Sequence, residues 1–200
     1  MTIKKILLFV FALVSCLSLY AQKEVGTTTI YPRLGMNWSK FTKDRIWQSE
    51  QSDPTAHSDS KYRMGFVAGV EVQHQFDDFL AGSVGVLYSR QGTDFEKMKD
   101  AELSFKTDNI LVPVLLVATT RIGLDFKLGV QPEFLVNSNA DKILNKVNFS
   151  IPVGLAYEWN HIAFDFRYNI GLTKVYKASD IYNTSKGSTF QLTIGYAFDI

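Results

Sequence analysis

The last twelve residues of the chain, TFQLTIGYAFDI (residues 189–200), alternate at every position between a bulky apolar side chain and a small or polar one. Successive side chains of a β-strand project to opposite faces, so this stretch predicts a strand with one apolar and one polar face. Similar alternation recurs along the chain and defines eight strands in total. It predicts an all-β protein, an eight-stranded antiparallel up-and-down transmembrane β-barrel.

The predicted strands cover about residues 27–39, 61–75, 79–91, 104–118, 121–136, 146–159, 161–173 and 189–200. Each exceeds the roughly 9 to 11 residues that a tilted strand needs to cross a bilayer. Tight turns alternate with long polar loops, and the loops cover residues 40–60, 92–103, 137–145 and 174–186. This is typical of bacterial outer-membrane barrels, with both mature termini at the short-turn, periplasmic rim and the long loops outside. Bulges or strand ends are expected where prolines interrupt the strands, at Pro32, Pro113, Pro132 and Pro152.

The amino terminus has the layout of a secretory signal peptide, with Lys4 and Lys5 before an apolar run and Ala21 at the expected cleavage point. We therefore expect a signal peptide over residues 1–21 and one barrel domain over residues 22–200. A lipoprotein signal ending at Cys16 is the alternative, but residues 17–20 continue the apolar run instead of forming a polar tether. The chain has 21 basic and 20 acidic residues, a balance that argues against nucleic acid as a partner.

The alternation also fits a soluble periplasmic barrel of the lipocalin type, with its apolar face turned inward around a ligand. The apolar face is too bulky for that, because an eight-stranded barrel has room only for its own side chains or one small ligand. The opposite face is rich in glycine and alanine, which suit a narrow packed lumen. We therefore expect the apolar face to contact outer-membrane lipid and the charged side chains to face the barrel axis.

Nine charged residues on the polar face are expected to form a network in the lumen, because buried charges must be paired. They are Arg33, Arg63, Glu71, Asp125, Lys127, Glu133, Glu158, Asp165 and Arg167. Such a network would plug the lumen and leave no open pore. A proton or ion relay through Asp165 and Arg167 is the less favoured interpretation. Aromatic residues near the strand ends suit interfacial girdles, namely Tyr31, Trp38, Phe76, Tyr88, Tyr157, Trp159 and Phe198.

The signal sequence, the eight strands, the apolar strand ILVPVLL (residues 110–116) and the terminal GYAF (residues 195–198) together resemble the PorT-like outer-membrane β-barrel family. The resemblance covers residues 22–200 and implies a small integral outer-membrane protein that is inserted by the barrel assembly machinery. It further implies that this machinery reads the last strand as the assembly signal. The apolar residues of that strand are Phe190, Leu192, Ile194, Tyr196, Phe198 and Ile200.

No arrangement of nucleophile, base and orienting group is recognisable in the sequence, so we predict a protein without catalytic activity, cofactor or metal. Asp53, His57 and Asp59 share the first long loop and have the chemistry of metal ligands. Their spacing matches no established site, and a solvated loop is favoured.

Two aromatic residues in the long loops, Phe95 and Tyr182, either contact an external protein partner or pack over the barrel mouth, and packing is favoured. We predict a structural or interaction protein of the outer membrane with a plugged lumen. The alternatives are a surface binding module that uses the long extracellular loops and the soluble ligand-binding barrel.

Overall fold

The computed structural model describes residues 23–42, 60–95, 104–120, 122–139, 144–173 and 186–200. Ten antiparallel strand segments close into one barrel. Their bounds are β1 Thr28–Thr42, β2 Ser60–Asp77, β3 Leu80–Phe95, β4 Ser104–Leu111, β5 Val114–Thr119, β6 Leu124–Ser138, β7 Val147–Trp159, β8 Ile162–Gly171, β9 Lys186–Tyr196 and β10 Phe198–Asp199. Within these residues, no helix is long and apolar enough to cross a membrane.

The ten segments occupy eight strand positions. β4 and β5 are the two halves of one strand, since both pair with β3 and with β6. β9 and β10 form the last strand, and both pair with β1, which closes the barrel. The predicted eight-stranded antiparallel barrel is confirmed. The predicted strand boundaries lie within four residues of the observed ones.

The two rims of the barrel differ in the length of the connections between their strands. The described turns between β2 and β3 and between β7 and β8 are tight. In the second turn, Asn160 and His161 both have positive φ angles, as a two-residue hairpin loop requires. The longer connections fall at residues 43–59, 96–103, 139–146 and 172–185. We call the two ends of the barrel the short-turn rim and the long-loop rim.

The prolines interrupt the ladder without shifting its register. Pro113 lies in the break between β4 and β5, so the strand end predicted there is correct. The prediction of a bulge or a strand end is wrong for the other three prolines: Pro32 stays paired with Val70, for example, and the register continues on both sides of it. A proline lacks only the backbone N–H donor, and its carbonyl oxygen still accepts a hydrogen bond. The Val112 amide, for example, donates to the Pro132 carbonyl oxygen at 2.9 Å.

The two faces of the barrel differ sharply in chemistry. On β8, Phe164 and Phe166 are 44% and 45% exposed, whereas Asp165 and Arg167 are fully buried. The same alternation on β6 leaves Phe126 half exposed and buries Lys127. The apolar side chains therefore form the outer surface and the charged ones face the axis. This is the reverse of the lipocalin-like alternative, and it suits an outer surface in contact with hydrocarbon.

Among the aromatic residues predicted for the girdles, Tyr31 is the exception. It is 2% exposed and its hydroxyl donates to the Glu158 carboxylate at 2.7 Å, inside the barrel. Its position, two residues before Arg33, places it on the lumen face of β1. The girdle prediction is therefore wrong for Tyr31, because it followed residue type and strand position and ignored the alternation.

Close approach of neighbouring strands explains glycine at Gly129 on the lumen face of β6. A Cβ atom there would overlap the carbonyl oxygen of Val114 on β5. Gly187 on β9 differs, because a Cβ atom added to it would meet nothing within 4 Å. Only the first of these two positions requires glycine for space.

Candidate functional site

Five charged side chains meet in the middle of the lumen. Arg33 comes from β1, Glu71 from β2, Lys127 from β6, and Asp165 and Arg167 from β8. Each lies on the lumen face of its strand, because it occupies an alternate position between outward-facing residues. All five side chains are at most 1% exposed. We call this group the lumen cluster.

Each carboxylate of the lumen cluster contacts all three cations. Asp165 lies 2.7 Å from Arg167, 2.8 Å from Lys127 and 3.3 Å from Arg33. Glu71 lies 2.6 Å from Arg167 and 3.2 Å from both Lys127 and Arg33. The resulting network is complete: no cation of the lumen cluster lacks a carboxylate partner, and no carboxylate lacks a cation.

The lumen cluster crosses the barrel axis. β2 and β6 are not neighbours in the strand order, so the contact between Glu71 and Lys127 joins separate walls of the barrel. The contact between Glu71 and Arg167 does the same for β2 and β8. With three positive and two negative side chains, the lumen cluster has an excess of one positive charge. Buried charges of this kind persist only with close partners of opposite sign, and every charge of the lumen cluster has them.

Four of the nine predicted network residues lie outside the lumen cluster. Glu133 accepts hydrogen bonds from Ser150 and Gln131, and Asp125 accepts one from Thr119. Arg63 pairs with the buried Ser39 in the β1–β2 ladder, and Glu158 contacts Tyr31 and Lys23 at the short-turn rim. The prediction used only the face that each residue occupies and did not consider how far along its strand the residue lies. Glu133, six residues beyond Lys127, is about 20 Å farther along β6.

A second group of polar residues, at the short-turn rim, binds Lys23 at the start of the described chain. Lys23 lies 3.3 Å from Glu158 and 2.8 Å from Asp199, and its Nζ also donates to the Thr29 hydroxyl. Tyr31 donates to the same Glu158. The sequence prediction did not include Lys23, because it precedes the first alternating stretch. Asp199 was on the polar face of the last strand and was identifiable from its alternation.

Several residues singled out in the sequence lie outside the description. The described residues do not include the predicted signal peptide over residues 1–21, with Cys16. They also do not include the loop residues Asp53, His57, Asp59 and Tyr182. Phe95 ends β3. In the part of the chain that is described, no group of three histidine, aspartate or glutamate side chains is placed to hold a metal ion.

The last strand presents its apolar residues on the outer surface of the barrel. Leu192, Ile194, Tyr196 and Phe198 are between 45% and 53% exposed, and Ile200 is 76% exposed. Phe190, on the same face, packs with its ring centroid 4.5 Å from that of Tyr168. Recognition of this strand during assembly stays a prediction.

A closed barrel with an apolar exterior and a charged interior defines a transmembrane β-barrel protein. The family model described as "Outer membrane protein beta-barrel domain" matches residues 20–177, and the chain therefore belongs to this family. The family places the protein in the outer membrane. The narrower PorT-like assignment stays a prediction. No curated protein sequence matches the chain.

Solved outer-membrane barrels resemble the chain in fold. Ail, the attachment invasion locus protein of Yersinia pestis, has a TM-score of 0.50 and 16% identity, covering 88% of this chain and 100% of that one. OprG from Pseudomonas aeruginosa has a TM-score of 0.48 and 12% identity, covering 88% and 97%. Neisserial surface protein A has a TM-score of 0.48 and 14% identity, covering 86% and 97%. At these identities, the likeness to Ail shows the fold alone.

Proposed function

We propose that this protein is a non-catalytic outer-membrane barrel with a sealed lumen and a structural or interaction role. The lumen cluster is the observation that carries the proposal. Its five side chains reach across the axis and contact one another at 2.6–3.3 Å. Because they are paired and almost inaccessible to solvent, a hydrated ion has no path between them. Eight-stranded barrels have interiors just wide enough for side chains to fill.

The orientation we propose places both mature termini in the periplasm and the long loops at the cell surface. The support is that Lys23 and Asp199, near the two ends of the described residues, pair with each other at the short-turn rim. Short turns face the periplasm in outer-membrane barrels. In this orientation, outer-membrane lipid is the partner of the apolar exterior, and the barrel assembly machinery meets the last strand during insertion.

We expect the purified protein to give no steady single-channel current in planar lipid bilayers. The physical reason is the desolvation penalty that an ion meets at the lumen cluster, where no water path accompanies it. An open porin reconstituted in the same bilayers provides the positive control. Reproducible single-channel steps from the protein itself would overturn the sealed lumen.

An interaction role predicts that the long loops contact a protein partner at the cell surface. The test is photo-crosslinking in intact cells from positions in the connection 43–59, with positions in the tight turn at residues 78–79 as the matched control. We expect a protein captured from the loop positions and absent from the turn positions. Identical captures from both rims would contradict a loop-mediated interaction and leave the structural role.

A further inference from the structure

The apolar outer surface of the barrel ends in lysine side chains at the long-loop rim. Lys40 is the next outward-facing residue after Trp38 on β1. On β9, Lys186 lies on the outward face beyond Phe190, towards the long loops. Lys40 is half-buried and Lys186 is exposed. The apolar exterior therefore gives way to positive charge at the same rim on two neighbouring strands.

The register of β1 and β9 brings the two lysines together on one face. Lys40 pairs with Ser188 and Lys186 pairs with Thr42, so the two lysines are diagonal neighbours in the ladder. Diagonal neighbours are about 7–8 Å apart, within reach of long side chains. Gly187, between Lys186 and Ser188, lines the interior of the barrel, which fits the outward direction of both its neighbours. Two flexible ammonium groups at this spacing are able to contact one phosphate group.

Aromatic rings lie beside and below the lysines on the outer surface. The Nζ atom of Lys40 lies 4.7 Å from the ring centroid of Tyr62, an attraction that holds the ammonium group at the surface. The ring of Phe190 lies 5.9 Å from that of Tyr62 and 4.5 Å from that of Tyr168. Aromatic girdles of outer-membrane barrels lie at the membrane interfaces. We call Lys40, Lys186, Tyr62, Tyr168 and Phe190 the outer patch.

The positive charge of the outer patch is not compensated by its own strands. The carboxylates of β1, β2, β8 and β9 are Glu71, Asp77 and Asp165. Glu71 and Asp165 lie in the lumen cluster, and Asp77 lies at the short-turn rim. A different arrangement holds on β3 and β4, where Arg90 at the same rim is paired with Asp108 at 2.8 Å. The outer patch therefore combines two positive charges with an aromatic surface that faces lipid.

We propose that the outer patch binds the phosphate group of an anionic membrane lipid. The ammonium groups of Lys40 and Lys186 donate to the phosphate oxygens, since each has three N–H donors. The upper part of an acyl chain packs on the rings of Phe190 and Tyr168. A soluble anion would make only the first of these contacts. This inference rests on the proposed function, in which membrane lipid is the partner of the exterior, and specifies the lipid that one part of the exterior holds.

The test uses Trp38 as a local reporter, because it is paired with Phe190 of the outer patch. Trp47→Phe and Trp159→Phe leave Trp38 as the single tryptophan of the mature chain. The protein is placed in phosphatidylcholine bilayers that contain phosphatidylglycerol with brominated acyl chains, which quench a neighbouring indole. A lysine near anionic headgroups contributes about fivefold in affinity, so we expect phosphatidylglycerol to be favoured about tenfold or more at Trp38. Quenching that follows the bulk composition would overturn the proposal.

Two pairs of substitutions separate a defined site from general attraction. Lys40→Gln with Lys186→Gln is expected to reduce the preference for phosphatidylglycerol to near one. The matched control, Lys106→Gln with Lys146→Gln, removes the same charge from exposed positions on β4 and just before β7. We expect the control to keep the preference of the unaltered protein. An equal loss in both would show that net charge, and not the outer patch, attracts the lipid.

A second reporter tests the other rim. With Trp38→Phe and Trp47→Phe, the remaining Trp159 is 58% exposed at the short-turn rim, and we expect no preference for phosphatidylglycerol there. An equal preference at both rims would refute a site at the outer patch. Equal quenching by brominated phosphatidylcholine and phosphatidylglycerol at Trp38 would refute the lipid site and leave the transmembrane placement intact. Absence of quenching by either lipid would contradict that placement itself.

Discussion

Asp165→Asn is expected to lower the free energy of unfolding by about 3–5 kcal/mol, the typical loss when one partner of a buried ion pair is removed. Asp165 contacts Arg33, Lys127 and Arg167, all of which are buried. With the carboxylate neutralised, three cations are left to share Glu71 alone. Asparagine keeps the shape of the side chain, so the loss reflects charge and not a cavity. Urea unfolding in lipid vesicles, followed by tryptophan fluorescence, measures it.

The matched control is Asp108→Asn, which removes a carboxylate from an ion pair outside the lumen, towards the long-loop rim. Asp108, with 14% of its side chain exposed, lies 2.8 Å from Arg90, whose side chain is 50% exposed. Exposed pairs of this kind contribute little to stability, so we expect a small change. Equal losses from the two substitutions would show that the lumen cluster is no more important than a surface ion pair.

A second substitution separates charge imbalance from lost contacts. In Asp165→Asn combined with Lys127→Met, one cation leaves together with the carboxylate, and the excess charge returns to that of the unaltered lumen cluster. We therefore expect the double variant to be more stable than the sum of the two single losses predicts, because residues of one ion-pair network are not additive. Strict additivity would contradict the account of the lumen cluster as one electrostatic unit.

Val130→Arg is expected to cost about 2–4 kcal/mol, the penalty for a basic side chain on the lipid face near the bilayer midplane. Val130 is 54% exposed, points outward and lies near the middle of β6, opposite Val114. The cost arises because the guanidinium group loses water without gaining a partner in the hydrocarbon. Reversible unfolding from lipid vesicles measures the free-energy change.

Val147→Arg provides the control at a different depth. Val147 is the first residue of β7, at the long-loop rim, and is 45% exposed. The penalty there is expected to fall to about 0–1 kcal/mol, because a side chain near the interface reaches water. An equal penalty at both positions would mean that the outer surface of the barrel is not graded in depth, in conflict with a transmembrane placement.

The period-two alternation made the faces of this barrel predictable, whereas the contacts within the lumen depended on information that the sequence alone does not contain. Asp165 and Arg167 could be placed inside because their neighbours Phe164 and Phe166 had to face lipid. Arg33 contacts Asp165, whereas Glu133 does not. This difference depends on the register and stagger of strands that are far apart in the chain. The hydrophobic pattern and the turns set the register of neighbouring strands, but the pattern within one strand does not say which residues meet across the barrel axis.

Local chemistry also predicted the break at Pro113 but misjudged the other prolines. At Pro113, the strand divides into β4 and β5. A similar break was expected at Pro32. The backbone N–H that Pro32 lacks lies beside the break between β9 and β10, where the hydrogen-bond ladder with β1 is already interrupted. The effect of a proline in a sheet therefore depends on what its neighbouring strand requires at that height, which only the closed barrel reveals.

Because the lumen cluster draws on β1, β2, β6 and β8, three sets of its contacts cannot form in a partly assembled sheet that leaves β1 apart from β9: those of Glu71 with Lys127, of Glu71 with Arg167 and of Arg33 with Asp165. Such a sheet would carry three cations and two carboxylates on one face, and these groups would hold it at an aqueous surface. Only when the first and last strands join does the polar face become internal. The charged interior therefore couples insertion into the hydrocarbon to closure of the barrel. A partly assembled sheet is unstable within the bilayer.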